Sequence, residues 1–573
     1  MQQHIAQEHG LRRRAVLRSL AAAGFAAGCA SPGGGPGSPS AIDVHCHVFN
    51  ARDLPISGFV DHVILHDGQT SPAWVLDLLE SILRGGAPTA DEELAMLKGP
   101  PRPPPSAAEE RDYARGRVEQ GADQLLRALR QPRALSATGG RRFRAPEQDL
   151  VNALRAVARK SPAADPTSGG AMQPFTAAPD GLPTPAQVAA GAEASGDDVW
   201  GILRLGGMLT RPRHMSLDAL ALLPDRDGAD VQLFAPALID FGYWLRESQG
   251  PTPLAKQIEL MRALSLRRSF RPFATHGWVS FCPWRQMAEP SQMTMVRDAI
   301  REHGFLGVKI YPLMGFAPYG NAEIAAQNPL IYDAQLRKIR NFGARLDAAL
   351  RELYDFCLEK DVPIMAHCSH SQYPNPDAAM LGSPDGWASA IETAGLAKLR
   401  LSLAHFGGLW HLSPHSPSPD LGWTRQAVNL LADGRYPNIY ADLGDYDMIL
   451  DRDTQEQADD MAVLGQVNGF LAALPAAQQA RARTRIMYGS DWVFLHRALG
   501  SGQYYPRMRN LLAGRLGLDR NGFLGGHAAR FLGLARDADG TRPETRQRLD
   551  AFYRANGLDI TFLNRFDPAG LGS

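Results

Sequence analysis

From residue 228 onward the chain repeats one pattern: a short apolar run bounded by turn residues, a stretch of helical periodicity, then another such run. Short apolar runs punctuated by Gly, Pro and Asn predict strands buried on both faces. The predicted strands are VQLFAPALI (231–239), GWVSFCP (277–283), LGVKIYP (306–312), VPIMAHC (362–368), LRLSLAHF (399–406), PNIYADL (437–443) and RIMYGSD (485–491). AIDVHCH (41–47), far upstream, makes eight. Buried strands alternating with helices give an α/β fold, and eight is the number that closes a (β/α)8 TIM barrel. An open doubly wound sheet is the alternative. The polar residues decide between them: six of the eight runs carry a His, Lys or Asp at or near the carboxyl end, the face on which barrel enzymes hold their chemistry.

Between the first and second strands lies a long insertion, 51–228. It mixes helical stretches, PAWVLDLLESILRG (72–85) and ERDYARGRVEQGADQLLRALRQ (110–131), with two Pro- and Gly-rich segments, GPPRPPPS (99–106) and SPAADPTSGGAMQPFTAAPDGLPTP (161–185). A loop that follows a barrel strand emerges at the catalytic face, so a mainly helical cap over the site is expected. The barrel domain then spans 41–535, with a helical tail over 536–573.

Composition narrows the function. The 573 residues can bury a large core, and 60 basic residues balance 60 acidic ones to a net charge of +0. No global field draws this chain to nucleic acid, so a small-molecule substrate is expected. Five cysteines, at 29, 46, 282, 357 and 368, are too few for a disulfide scaffold and are not spaced for a zinc knot. Residues 11–31 read LRRRAVLRSLAAAGFAAGCAS, an arginine cluster before an apolar run too short to cross a bilayer. Residues 1–29 therefore read as a signal peptide, with 30–40 as a flexible tether. The order Arg13-Arg14-Ala15-Val16-Leu17-Arg18 resembles a twin-arginine export signal, and Ala26-Ala27-Gly28-Cys29 resembles a lipoprotein box in which Cys29 is acylated. The expected product is exported, either periplasmic or anchored through lipid. The oligomeric state leaves no mark in the sequence.

Chemistry collects at the strand ends. His45 and His47 stand two apart on a predicted strand and face one side, with Cys46 on the other. His367 ends the fifth run, His405 the sixth and Asp491 the eighth. Taken singly, each histidine is a core residue with a partner. A buried carboxylate, however, is costly unless it meets a cation. Three imidazoles and one carboxylate suit one divalent metal, zinc first and manganese or iron as alternatives, with a position left for water. A metal of this kind brings the pKa of bound water to about 7. Asp491 would take the proton, and His405 would hydrogen-bond the substrate oxygen or pass the proton on. Arg285, just past the third strand, and His370, three residues beyond His367, are candidate substrate contacts. His411 and His415 read as surface, and Cys46 and Cys368 as small apolar residues facing the helices.

The ordered set DVHCH, GVKIYP, AHCSH, LAHFGG, YPNIYADL, YGSDW and GGHAARFLGL resembles the amidohydrolase superfamily. Within it, the set is similar to the amidohydrolase-related branch that includes aminocarboxymuconate semialdehyde decarboxylase and several lactonases. The resemblance covers 41–50 and about 230–535. It implies a (β/α)8 barrel in which His45, His47, His367 and Asp491 bind one divalent metal and His405 lies beside the substrate. This chain departs from the pattern in its long insertion and in His527, which stands where the closing helix usually begins with Asn. Lys309 occupies the strand where binuclear relatives place a carboxylated, metal-bridging lysine; a salt bridge or a contact to a substrate carboxylate is the preferred reading.

Three functions follow. The first is metal-dependent hydrolysis, in which activated water attacks an amide, ester or lactone carbonyl. The second is nonoxidative decarboxylation of an unsaturated or aromatic acid at the same site. The third is a non-catalytic, lipid-anchored binding protein, against which the intact five-residue set argues.

Overall fold

The computed structural model describes residues 41–59, 73–99, 116, 208–222, 231–245, 251–267, 273–369, 378, 380–409, 422–450, 454–492, 495, 501–537 and 540–567. Outside them lie the leader with Cys29, the tether, His370, His411 and His415. So do the segment 161–185, most of 99–106 and, apart from Gly116, the stretch 110–131. Among the described residues no helix is long and apolar enough to cross a membrane.

Eight parallel strands follow one another in chain order: β1 (Ala41–Cys46), β2 (Val231–Pro236), β3 in two pieces (Ala274–Thr275 and Trp278–Ser280), β4 (Gly307–Ile310), β5 (Ile364–His367), β6 (Leu401–Ala404), β7 (Ile439–Asp442) and β8 (Ile486–Met487). The ladder breaks inside β3. There a bridge between Ala237 and Trp278, and the Leu238 N–H donating to the Trp278 carbonyl at 3.0 Å, carry pairing across the gap. At the other seam the Val44 N–H donates to Tyr488 O at 3.3 Å, and the Ser490 and Asp491 N–H groups donate to His45 O at 3.0 and 2.8 Å. These bonds join the last strand to the first, so the sheet curls back on itself as a (β/α)8 barrel.

Each expected strand is present but shorter than its apolar run. Residues such as Phe281, Leu443 and Tyr488 leave the ladder and stay buried as they enter the loops above it. β3 begins earlier than predicted, at Ala274, because RPFATHG carries no apolar run to reveal it. Alternation does the rest. Val308 and Ile310 of β4 belong to the apolar layer that also holds Leu346, Leu350 and Leu353 of helix α5 (Phe342–Glu359), and Lys309 between them points into the barrel.

The insertion contributes four described helices: α1 (Ile56–Phe59), α2 (Ala73–Gly86), α3 (Ala90–Leu97) and α4 (Arg213–Leu222). The start of α3 is set by Thr89 and Glu92, each side chain bonding the other's backbone N–H. The Ala51 N–H donates to Leu209 O at 2.7 Å, and Trp492 Nε1 donates to Ser216 Oγ at 3.3 Å. The second bond brings α4 to the residue beside Asp491. At the opposite end of the barrel, helices α6 (His527–Leu532) and α7 (Glu544–Ala555) bury Phe531, Leu549 and Phe552 against Trp278 and Leu306. His276 Nε2 lies 2.9 Å from the Tyr553 hydroxyl, and His527 Nδ1 donates to Ile486 O at 2.7 Å. His527 thus anchors the last strand, a task far from the polar centre.

Candidate metal centre

The carboxyl ends of β1, β4, β5, β6, β7 and β8 bring His45, His47, Lys309, His367, His405, Asp442 and Asp491 together. His45 Nδ1 donates to Asp442 Oδ1 at 2.8 Å, His47 Nδ1 to Ala237 O at 2.9 Å, and His405 Nδ1 to Gly444 O at 3.0 Å. A carbonyl or carboxylate oxygen can only accept, so each Nδ1 carries its ring's proton and leaves a lone pair on Nε2. Those lone pairs converge. His45 Nε2 and His47 Nε2 lie 3.2 and 3.1 Å from Asp491 Oδ1, a buried oxygen with no hydrogen bond among the described residues. Ligand atoms of His45, His405 and Asp491 fall within 4.8 Å of one another. Electron-rich atoms facing each other without a proton between them repel, and a cation among them turns that repulsion into binding. The donor set fits a divalent metal.

The fold holds this geometry under strain. His405 and Asp491 both adopt left-handed backbone angles, φ 65° and 49°, which are rare outside glycine and concentrate at functional sites. Close approach also demands two glycines. A Cβ on Gly444 would sit 2.9 Å from His45 Nδ1, and one on Gly489 would sit 2.9 Å from His45 Cβ.

Burial lowers the pKa values of His47 and His367 and takes His405 down to about 4, so these rings are neutral at pH 7. Burial likewise brings Lys309 down to about 8, with Asp442 and Asp491 pulling the other way. For Asp442 burial opposes the charge, but His45 outweighs it and holds the carboxyl at about 2. Asp491 is held well below the usual carboxylate range, against burial, by positive charge on the His45 and His47 side, the place a bound cation would take.

The positions of the predicted residues are uneven. His45, His47, His405, Lys309 and Asp491 meet directly. His367 reaches the group through His405, its Nδ1 donating to His405 Nε2 at 3.2 Å while its Nε2 accepts from Ser369 Oγ at 2.7 Å. Lys309 forms no salt bridge among the described residues; its ammonium donates to His45 Nε2 at 3.0 Å. Arg285 does not join the group. Its guanidinium holds Asp240 through Nε and Nη2 at 2.6 and 2.7 Å and Glu289 through Nη1 at 3.0 Å, which commits it to structure rather than to a substrate anion. Cys46 and Cys368 are buried in the outer apolar layer, as expected.

Three participants went unassigned in the sequence. Asp442 orients His45, also meets Ser402 Oγ at 3.2 Å, and carried the same signal as Asp491: an acid closing an apolar strand. Asp43 accepts from Ser490 N–H and Oγ at 3.0 and 2.6 Å and braces the loop bearing Asp491; burial raises its pKa to about 7. Tyr311, two residues beyond Lys309, packs its ring 5.9 Å from that of His367.

Residues 281–534 match the amidohydrolase family model. The match, over less than half of the chain, supports an enzyme of the amidohydrolase type; it takes in Lys309, His367, His405, Asp442 and Asp491, and it begins well after His45 and His47. Among solved structures the chain is similar to an uncharacterized TIM-barrel protein from Bordetella bronchiseptica, with 15% identity, a TM-score of 0.32 and coverage of 56% of this chain and 84% of that one. It is also similar to a candidate metal-dependent hydrolase from Lactobacillus casei, with 12% identity, a TM-score of 0.35 and coverage of 87% and 96%. No curated protein matches the chain.

Proposed function

We propose that this chain is a metal-dependent hydrolase that cleaves an amide, ester or lactone bond, with one divalent metal held around Asp491 Oδ1. The observation that carries the reading is that oxygen itself: buried, ionised, unbonded, and faced by the lone pairs of His45 and His47. His45, His47 and Asp491 would hold the metal, with one further imidazole from the His367–His405 pair. Zinc matches this donor chemistry best. When bound, such a metal supplies Lewis acidity toward a carbonyl and acidifies water.

The protein's own groups divide the remaining work. Asp491 stays ionised through neutral pH and accepts hydrogen bonds from the attacking water. His405 is neutral, and its one ring proton is committed to Gly444 O. Its Nε2, which accepts from His367 Nδ1, therefore has no proton to donate to the substrate oxygen. The leader-like residues 1–29 support export as the setting for this chemistry.

Metal per chain should be close to one in the purified protein and near zero in His45→Ala. Acid release from a panel of lactones, esters and amides, followed beside carbon dioxide release from carboxylic acids, tests the reaction. Full metal in His45→Ala contradicts the site, and carbon dioxide without acid release contradicts the hydrolase.

A further inference from the structure

The rings around the site form a closed circuit. His45 meets His47 at 5.5 Å, His47 meets Phe49 at 5.4 Å, Phe49 meets Phe59 at 6.4 Å, and Phe59 meets Phe241 at 6.4 Å. Phe241 then meets Tyr311 at 4.8 Å, Tyr311 meets His367 at 5.9 Å, His367 meets His405 at 4.4 Å, and His405 returns to His45 at 4.9 Å. One arc is imidazole and the other is carbocyclic, with Phe59 supplied by the insertion. On the imidazole arc the Nδ1–H groups of His45, His47 and His405 donate to Asp442, Ala237 and Gly444, so none of these rings has a proton left to donate inward. On the carbocyclic arc the polar atom is the Tyr311 hydroxyl.

That hydroxyl is buried and has no hydrogen-bond partner among the described residues, although buried tyrosine hydroxyls usually find one. Its ring is wedged between Phe241 and His367, with Lys309 Nζ 5.2 Å from the ring centre, so it cannot swing away to seek a bond elsewhere. A substrate carbonyl or carboxylate brings acceptors, and of the donors at this wall Lys309 is already directed to His45 Nε2, which leaves the Tyr311 hydroxyl as the donor without a partner among the described residues. We propose that the Tyr311 hydroxyl, beside His367, is the hydrogen-bond donor that receives the substrate's oxygen. The assignment rests on the metal-centre reading above. It makes Tyr311 a substrate contact at the end of β4, alongside Lys309.

The test uses the full chain, wild type and Tyr311→Phe, loaded with zinc, and acetohydroxamic acid as the probe, because a hydroxamate ligates metal while presenting a carbonyl oxygen. Calorimetric titration should show the probe binding about tenfold more weakly to Tyr311→Phe, the worth of one good hydrogen bond. Zinc per chain should equal that of wild type. The thermal midpoint should be unchanged or higher, since the substitution removes a buried group that has no partner among the described residues. Unchanged probe affinity at full zinc overturns the assignment alone. A lowered midpoint overturns it too, by showing that the hydroxyl serves the fold. A wild-type chain that takes up no zinc overturns the metal centre, and this assignment falls with it.

Discussion

Arg213 lies buried between Asp53 and Glu93, and Asp491 lies buried between His45 and His47. In the first cluster Arg213 Nε donates to Asp53 Oδ2 at 3.1 Å, its two terminal nitrogens bond one carboxylate each, and Asn50 Nδ2 donates to Glu93 Oε1 at 2.8 Å. Donors face acceptors, and none of these side-chain atoms is left unbonded. In the second cluster Lys309 donates to His45 Nε2, yet Asp491 Oδ1 is left facing imidazole nitrogens with no hydrogen bond among the described residues. The difference separates charge that holds a fold together from charge that awaits a ligand. A cluster complete within the protein ties the loop after β1 to helices α3 and α4. A cluster that lacks its cation marks the chemistry.

Breaking the two clusters should therefore produce opposite signatures. The largest expected effect is on activity: His45→Ala should lose the metal and reduce turnover by more than about 100-fold, beyond the loss typical of supporting residues. Turnover and metal analysis on one preparation check it. Arg213→Met should leave the metal ligands in place yet cost roughly 3–5 kcal/mol of stability, because two buried carboxylates lose their counter-charge; urea unfolding measures it. Asp442→Asn should sit between the two, weakening metal affinity by about 10–100-fold through loss of the bond that sets the His45 tautomer. A competitive chelator titration reads that change.

The smallest effect is in pH. Burial raises the Glu93 carboxyl from 4.5 to about 7, although Arg213 opposes the shift. A raised acid stabilises the fold below its unfolded pKa and loses that contribution as pH rises through its folded one. Wild type should therefore lose roughly 1–2 kcal/mol relative to Glu93→Gln between pH 4.5 and 7. Parallel pH profiles of the two proteins would contradict the shift.

Much of the barrel was legible because buried parallel strands are written as apolar runs, and the site because acids and imidazoles at the ends of such runs have few other reasons to be there. Asp442 was as visible as Asp491 but took meaning only when His45 Nδ1 was seen beside it. The early start of β3 was hidden because Ala274 and Thr275 pair through backbone alone. Arg285 misled because sequence cannot show that Asp240, 45 residues away, already holds it. The order of the imidazoles also needed three dimensions: His405, expected beside the substrate, stands with His45 and Asp491, and His367, expected as a ligand, reaches them through His405. The Arg213 cluster left no periodic signal at all, since its members come from a loop and two separate helices.

The central claim is that Asp491 Oδ1 marks the seat of a cation. Thermal unfolding of the metal-stripped chain, with and without zinc, tests it most directly. A ligand held at 100 times its dissociation constant stabilises the native state by about 2.7 kcal/mol. Zinc should therefore raise the midpoint of wild type by several degrees and leave that of Asp491→Asn unmoved. An equal rise in both proteins would place the metal elsewhere and contradict the account.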